Sequence, residues 1–270
     1  MKDAHAFVSL YPESDSPAVP IIDSNSRFKP AALGFHGTRQ NTLLRALPDV
    51  ELGRLFQHLE LITLPFGKKL FEFGAKIEFA YFPANAIVSL FYVMEDGASS
   101  EVAVVGSEGV VGFALYPSER ASFNAVVQSA GDAYRLNVRH LREFFKEGGA
   151  LPRLLMAYST AFFAQMTQNV VGARHCSIEQ KVCRWLLDRL DRSTSIELKV
   201  TQDAIANMLG VRRESVTAAA RKLQAQGMIL CRRGHVKILD RVRLEAGAGS
   251  CYAVARAGYE QMRQQLERWL

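Results

Sequence analysis

The sequence predicts an α+β fold in three parts: a sheet-rich N-terminal body, one long helix, and a compact helical unit closed by a hairpin. Three observations carry this. Short runs rich in β-branched and aromatic residues, broken by glycines, fill residues 61–136. Apolar residues at helical spacing follow over 150–173. All the net basicity lies beyond them: residues 174–270 hold 18 of the 33 Lys and Arg against 10 of the 27 Asp and Glu, a net of +8 that leaves −2 for residues 1–173. A cation excess placed so unevenly is the footprint of a polyanionic partner.

At 270 residues the chain can form one large domain or two modest ones without covalent staples. No apolar run approaches the roughly 18 residues that cross a bilayer, so no membrane partner is expected. The N-terminus lacks the apolar segment of a signal peptide, which predicts a cytoplasmic location. Cys176, Cys183, Cys231 and Cys251 show neither C-x-x-C nor paired zinc spacing. They are expected to be buried or incidental thiols, with Cys176 and Cys183 two turns apart on one helix face. No metal site is expected.

Taken in order, residues 1–40 mix Pro, Ser, Asp and Gly without periodicity and predict a flexible tail. Asn41 can cap "TLLRAL", and Asp49, after Pro48, can cap "VELGRLFQHL". The strand runs are "LITLPF", "KLFEF", "FAYFP", "AIVSLFYV", "SEVAVV", "NAVVQS" and "AYRLNV", with "EDG" at 95–97 as a hairpin turn. Their spacing suits a β-roll or jelly-roll over 41–148 and leaves sandwich and barrel open. "VRHLREFFKE" reads as helix, and a long helix runs from Pro152 to about Ala173. Leu151, Leu155, Tyr158 and Phe162 form a stripe for the β-body. Leu154, Ala157, Ala161, Ala164 and Val171 form a second, smaller stripe, suited to a partner helix in a homodimer. Ser177 with Gln180 makes a capping box for "SIEQKVCRWLLDRL". Residues 174–241 form the basic unit, and 242–270 read as a helical extension.

Within the basic unit, "TQDAIANMLGVRRESVTAAARKL" has the pattern of a helix-turn-helix. Thr201 caps the first helix, Ala206 allows close helix approach, and Gly210 allows the left-handed turn. Ile205, Leu209, Val211 and Val216 close a small core. Ala219, Ala220 and Leu223 face inward on the second helix, leaving Arg213, Glu214, Thr217, Ala218 and Arg221 outward. The positive end of a helix disfavours arginines, yet Arg212 and Arg213 stand there; an anionic partner removes the objection. The second helix of such a unit enters the major groove N-terminus first. Arg213 can then read guanine O6 and N7, Glu214 can accept from cytosine N4, and Thr217 lies on the same face. Thr201, Gln202, Arg212, Ser215 and Arg221, with Arg232, Arg233 and His235 of the hairpin "GMILCRRGHVKILD", suit phosphate contacts.

With these residues in place, the chain resembles the Crp/Fnr superfamily of transcription regulators from about Asn41 to Asp240. The strongest likeness lies in "TQDAIANMLGVRRESVTAAARKL" with "GMILCRRGHVKIL", and "YFPANAIVSLFYVMEDGASSEVAVVGSEGVVGF" is similar to the family's β-roll. The resemblance implies an N-terminal β-roll (jelly-roll-like) domain, a dimerisation helix over 150–173 and a C-terminal winged helix-turn-helix. It further implies a homodimer on a pseudo-palindromic double-stranded DNA site, and RNA polymerase as a partner. The family's Arg-Glu pair matches Arg213 and Glu214, while a second family arginine corresponds to Ala218. The family's cyclic-nucleotide pocket is eroded. Gly112-Phe113-Ala114 replaces Gly-Glu-Leu, Phe123-Asn124 replaces Arg-Ser, and Met166-Thr167 replaces the base-contacting pair, with Arg120 as the nearest cation. Gly112, Phe113, Arg120, Phe123, Met166 and Thr167 mark where an effector pocket would lie; its ligand is unknown, and cyclic AMP is not expected. The N-terminal cysteines of the family's iron–sulfur sensor are missing, and only His58 and His140 stand near a haem position.

Two other readings compete. A cupin-like enzyme needs clustered metal ligands, and there is no histidine between Leu61 and Leu136, so no enzyme is expected. A cyclic-nucleotide receptor would need a non-standard pocket.

Overall fold

The computed structural model describes residues 37–95, 98–113, 120–193 and 195–267. The first element described is a 3-10 turn, Thr38–Gln40, whose Thr38 is fully buried, so residues 38–40 do not belong to a flexible tail. Residues 1–36 of that tail, and the 96–97 part of the predicted hairpin turn, lie outside the described residues. Asn41 caps α1 (Thr42–Arg45): its Oδ1 accepts from Leu43 N and Leu44 N, and its Nδ2 donates to Pro83 O and Gly109 O. Asp49 does not cap α2 (Asp49–Phe56). Leu52 N donates to Pro48 O at 2.8 Å, which makes Pro48 the boundary residue, and Asp49 pairs with Arg39 instead.

Seven strands then form the β-roll: β1 (Leu59–Leu64), β2 (Lys69–Phe71), β3 (Phe79–Pro83), β4 (Ile87–Val93), β5 (Ser99–Val105), β6 (Asn124–Ser129) and β7 (Gly131–Asn137). They make two antiparallel sheets, ordered β1-β7-β3 and β2-β6-β4-β5, with Leu61 opposite Tyr134 and Leu90 opposite Ala103. Successive side chains of a strand point to opposite faces. Ala80 and Phe82 therefore join Leu136 beneath the helices, while Tyr81 joins Val88, Leu90 and Val105 in the core of the second sheet.

Helix α3 (Val138–Glu147), capped by Asn137, leads to the long helix α4 (Ala150–His175). Glu51 of α2 accepts from Ala150 N and Leu151 N, fixing where α4 starts. Leu151, Leu155 and Tyr158 are buried against the β-roll. The small-residue stripe is divided. Leu154 is buried, and Ala157 and Ala161 share a cluster with Tyr259 of this chain's own C-terminal helix, which packs along α4. Ala164 and Val171 of that stripe are exposed, and Met156 (65% exposed), Phe163 (68%) and Val170 (70%) extend the bare apolar face beside them, interleaved with exposed Thr160 and Thr167.

The C-terminal unit contains α5 (Ile178–Leu190), β8 (Glu197–Lys199), α6 (Gln202–Leu209), α7 (Arg213–Ala225), β9 (Ile229–Arg232), β10 (His235–Ile238) and α8 (Arg241–Ala248). The capping box of Ser177 and Gln180 is present. The extension is two helices rather than one: Gly249, at φ +58°, breaks the chain between α8 and α9 (Ser250–Glu267). Cys176, at the end of α4, forms a disulfide with Cys251 of α9, with Cα atoms 6.7 Å apart. The expectation of incidental thiols fails for this pair because α9 folds back along α4. Cys183 is a buried free thiol, pushed up to about 11 by burial, and Cys231 is a half-buried one.

The unit docks on the second sheet. One apolar cluster runs from Phe91 and Val126 into Leu186, Met208 and Val216. Beside it, Arg189 pairs with Glu101 and donates from Nε to Gln128 Oε1 at 3.0 Å, and Arg192 Nε meets Glu108 Oε1 at 2.6 Å. Among the described residues, no helix is long and apolar enough to cross a membrane.

Candidate nucleic-acid interface

Local chemistry builds the two-helix unit. Thr201 Oγ1 accepts from Ala204 N at 3.1 Å and starts α6. Gly210 ends it in the left-handed region (φ 63°, ψ 38°), and Val211 N donates back to Ala206 O at 3.0 Å. An L-side chain at this φ would be strained, so glycine sets the angle of the second helix. Arg212 occupies the boundary position of α7 without a side-chain cap, and Arg213 is its first residue. Val216, Ala219, Ala220 and Leu223 are buried and hold α7 from behind. Arg212, Arg213, Glu214, Ala218 and Arg221 are exposed, while Ser215 and Thr217 are half-buried.

Several of the predicted DNA contacts are engaged within the protein, Arg213, Thr217 and Gln202 among them. Arg213 Nε lies 3.2 Å from Asp203 Oδ1, and Thr217 Oγ1 donates to Gln202 Oε1 at 2.7 Å. Both bonds tie α7 to α6, so they also stiffen the reading head. Gln224 Oε1 accepts from Cys231 N at 2.8 Å and joins the other end of α7 to the hairpin.

In the hairpin, Arg232 stands opposite His235, and Gly234 (φ +74°) makes the turn. Arg232 and Arg233 are exposed. The sheet has a third strand that the sequence reading missed: β8 pairs with β10, placing Lys199 beside His235 and Glu197 Oε1 3.5 Å from His235 Nδ1. Its signal was the alternation in "IELKV", where Leu198 and Val200 are buried and Ile196 and Lys199 are not. Lys199 joins the basic residues of the wing.

Among the six effector-pocket residues, Gly112 and Phe123 both lie close to Phe71, and Met166 and Thr167 line one cavity. Gly112 (φ +79°) passes so close to β3 that a Cβ would sit 2.8 Å from Phe79 O. Phe113 packs on Tyr158, with ring centres 6.1 Å apart. Phe123 packs near Phe71 and shares the second-sheet core with Met166. Arg120 Nη1 donates to Gly74 O at 2.9 Å, and Thr167 Oγ1 donates to Phe163 O at 3.0 Å.

Residues 180–246 match the family described as Crp-like helix-turn-helix domain. The chain is 24% identical over 242 residues to the nitrogen fixation regulation protein FixK of Bradyrhizobium diazoefficiens, covering 87% of this chain and 99% of that one. The chain is a transcription regulator with a Crp-like helix-turn-helix domain. The regulator's fold is also that of two solved structures. A Crp/Fnr-family regulator from Eubacterium rectale superposes with a TM-score of 0.63 at 17% identity, over 78% of this chain and 99% of that one. FixK2 of Bradyrhizobium japonicum does so with a TM-score of 0.62 at 16% identity, over 71% and 98%. The regulator therefore carries its helix-turn-helix unit on a β-roll and a long helix, with α6 and α7 as the two helices of that unit.

Proposed function

We propose that the regulator binds a pseudo-palindromic duplex site as a homodimer, with Arg213 and Glu214 reading bases and Arg212 holding a phosphate. One observation carries this: α7 is buried along one face and presents Arg212, Arg213, Glu214 and Arg221 along the other. On binding, Arg213 exchanges Asp203 for a base edge, and Thr217 remains a spacer bonded to Gln202 or turns to a base. Thr201, Gln202, Ser215, Arg221, Arg232, Arg233 and His235 complete the phosphate set. The exposed face of Met156, Phe163 and Val170 forms the homodimer seam.

RNA polymerase is the further partner this reading implies, the activity is binding rather than catalysis, and the location is cytoplasmic. The Cys176–Cys251 bridge cuts the other way on location, because such bonds persist in oxidising surroundings. In a reducing cell the two sulfurs stand as a dithiol. Cyclic AMP is not the effector in this reading: Phe113 and Phe123 stand where the cassette's carboxylate and arginine would be.

Gel-shift titrations over a series of salt concentrations test it. Arg212→Ala should weaken all duplexes alike and reduce the slope of log K against log salt by about 1. Arg213→Ala should lose discrimination at one base pair, by about 1–3 kcal/mol. Equal loss of selectivity in both variants would sink the division of labour. Equal affinity of the parent for every duplex would sink sequence-specific binding.

A further inference from the structure

One cavity has no part in DNA binding. It opens between β5, α4, α5 and α6, where the β-roll, the long helix and the reading unit meet. Its volume is about 390 Å³, inside the range of about 300–1,000 Å³ typical of small-molecule sites. Val102, Phe163, Met166, Val170 and Met208 give it a mainly apolar wall.

Two hydrogen-bond donors line it from α5, four residues apart and so on one face of the helix: Lys181 and Trp185. Trp185 is buried, and its Nε1–H has no hydrogen-bond partner among the described residues. A buried donor without an acceptor is a rare and costly arrangement that calls for one. Lys181 Nζ donates to Ala173 O at 2.6 Å, which uses one of its three N–H groups. Among the described residues no carboxylate lies within ion-pair distance of it. The other charges here are engaged. Arg184 donates to Gln168 O and Asn169 Oδ1 and lies 3.6 Å from Asp188, and Glu101 holds Arg189. What remains is an apolar chamber with one ammonium able to meet an acceptor and, behind its lining, a sealed indole N–H that an acceptor reaches when the lining shifts.

We propose that this cavity seats a small, mainly apolar monocarboxylic acid, its carboxylate meeting Lys181 and Trp185 and its body lying on Phe163, Met166 and Met208. The walls belong to both the β-roll and the DNA-binding unit, so an occupant favours one relative placement of the two over others. On the proposed function, which supplies the DNA output, that makes the seat an effector site that adjoins the eroded β-roll pocket and shares Met166 and Thr167 with it. Phe163 and Val170 lie on the proposed dimer seam, so a second copy would roof the chamber.

The chain has two tryptophans, Trp185 and Trp269. In the full chain carrying Trp269→Phe, emission comes from Trp185 alone. Two probes with the same ring frame are then titrated: 1-anilinonaphthalene-8-sulfonate, an anion, and N-phenyl-1-naphthylamine, its uncharged counterpart. Each should quench Trp185 by energy transfer and saturate at one per chain, and decanoate should displace the anionic probe at lower concentration than decanol. Lys181→Met should weaken the sulfonate at least fivefold and the neutral probe less than twofold. Ala173→Phe, at the exposed mouth, should weaken both at least tenfold, with thermal melts confirming that both variants fold.

Unquenched Trp185, the same response of both probes to Lys181→Met, decanol displacing before decanoate, or unchanged binding in Ala173→Phe overturns the seat. Shift assays on the same proteins separate it from the DNA reading. Probe binding without duplex binding would overturn the latter and leave the seat standing.

Discussion

In the proposed DNA complex Arg213 has two acceptors to choose between, Asp203 and a base. Its pair with Asp203 is more than half exposed on the arginine side and about two-fifths on the other, and such pairs are worth about 0–1 kcal/mol. The exchange on DNA binding is therefore cheap but not free. Removing the competing carboxylate should help: Asp203→Asn is expected to raise duplex affinity about two- to tenfold at low salt, with the gain shrinking as salt screens it. Fluorescence anisotropy with a labelled duplex measures this, and an unchanged or lower affinity at low salt would show that Asp203 does not hold Arg213 back. At this scale, legibility followed locality. Asn41, Ser177 and Thr201 were readable as caps because a cap bonds its own next few residues. The Arg213–Asp203 and Thr217–Gln202 bonds were not, since they depend on how two helices cross. Cys176 and Cys251, 75 residues apart, carry no local sign of each other at all.

Glycines show how much an element depends on its backbone. Gly53, within α2, has open space where a Cβ would go. Gly53→Ala should stabilise the protein by up to about 1 kcal/mol through helix propensity alone. Gly210 also has room, with Ser100 Oγ 3.8 Å away as its nearest atom, but sits at φ +63°. Gly210→Ala should cost about 1–2 kcal/mol as pure backbone strain. At Gly109 a Cβ would fall 2.4 Å from the ring of Tyr158, a fully packed side chain, and Gly109→Ala should cost the most, about 3 kcal/mol or more. Urea melts rank the three, and any other order would contradict these local readings. The strands were legible because each run is bounded by turn residues and dense in β-branched side chains. The break at Gly249 was overlooked inside a run of helix formers, and β8 because an alternation of only five residues, "IELKV", is a weak signal. The side of α4 left bare was misread in part for a physical reason: apolar residues ring most of that helix, and only the placement of α9 decides which of them stay uncovered.

The junction between β-roll and DNA-binding unit hangs on a buried ion pair. The Arg189 and Glu101 side chains are 4% and 8% exposed, and Ser89 Oγ adds a hydrogen bond to Glu101 at 2.6 Å. Truncating one member of such a pair strands the other charge, at a cost of about 3–5 kcal/mol. Glu101→Ala should therefore destabilise strongly, whereas the double change Glu101→Leu with Arg189→Met should recover most of the loss. Guanidinium melts of the parent, the single and the double variants make the comparison, and a double variant no better than Glu101→Ala would show that the pair is not what holds the junction. The three-part architecture was legible from texture and charge; the docking of its parts was not. It is built from residues such as Arg189, Glu101 and Gln128, each of which reads in isolation as ordinary surface.

The bridge between Cys176 and Cys251 has a mechanical consequence. A domain joined to a rod by one strand of backbone can swivel about that strand. The reading head leaves the end of α4 through the backbone at Ser177 and returns to it through the sulfurs, so while the bond exists it has two anchor points on one rod. Every residue proposed to touch DNA lies on the loop between those anchors. A turn applied to the rod is then passed on as torque instead of being lost at a swivel. A single cut anywhere in the loop would leave both ends still fastened.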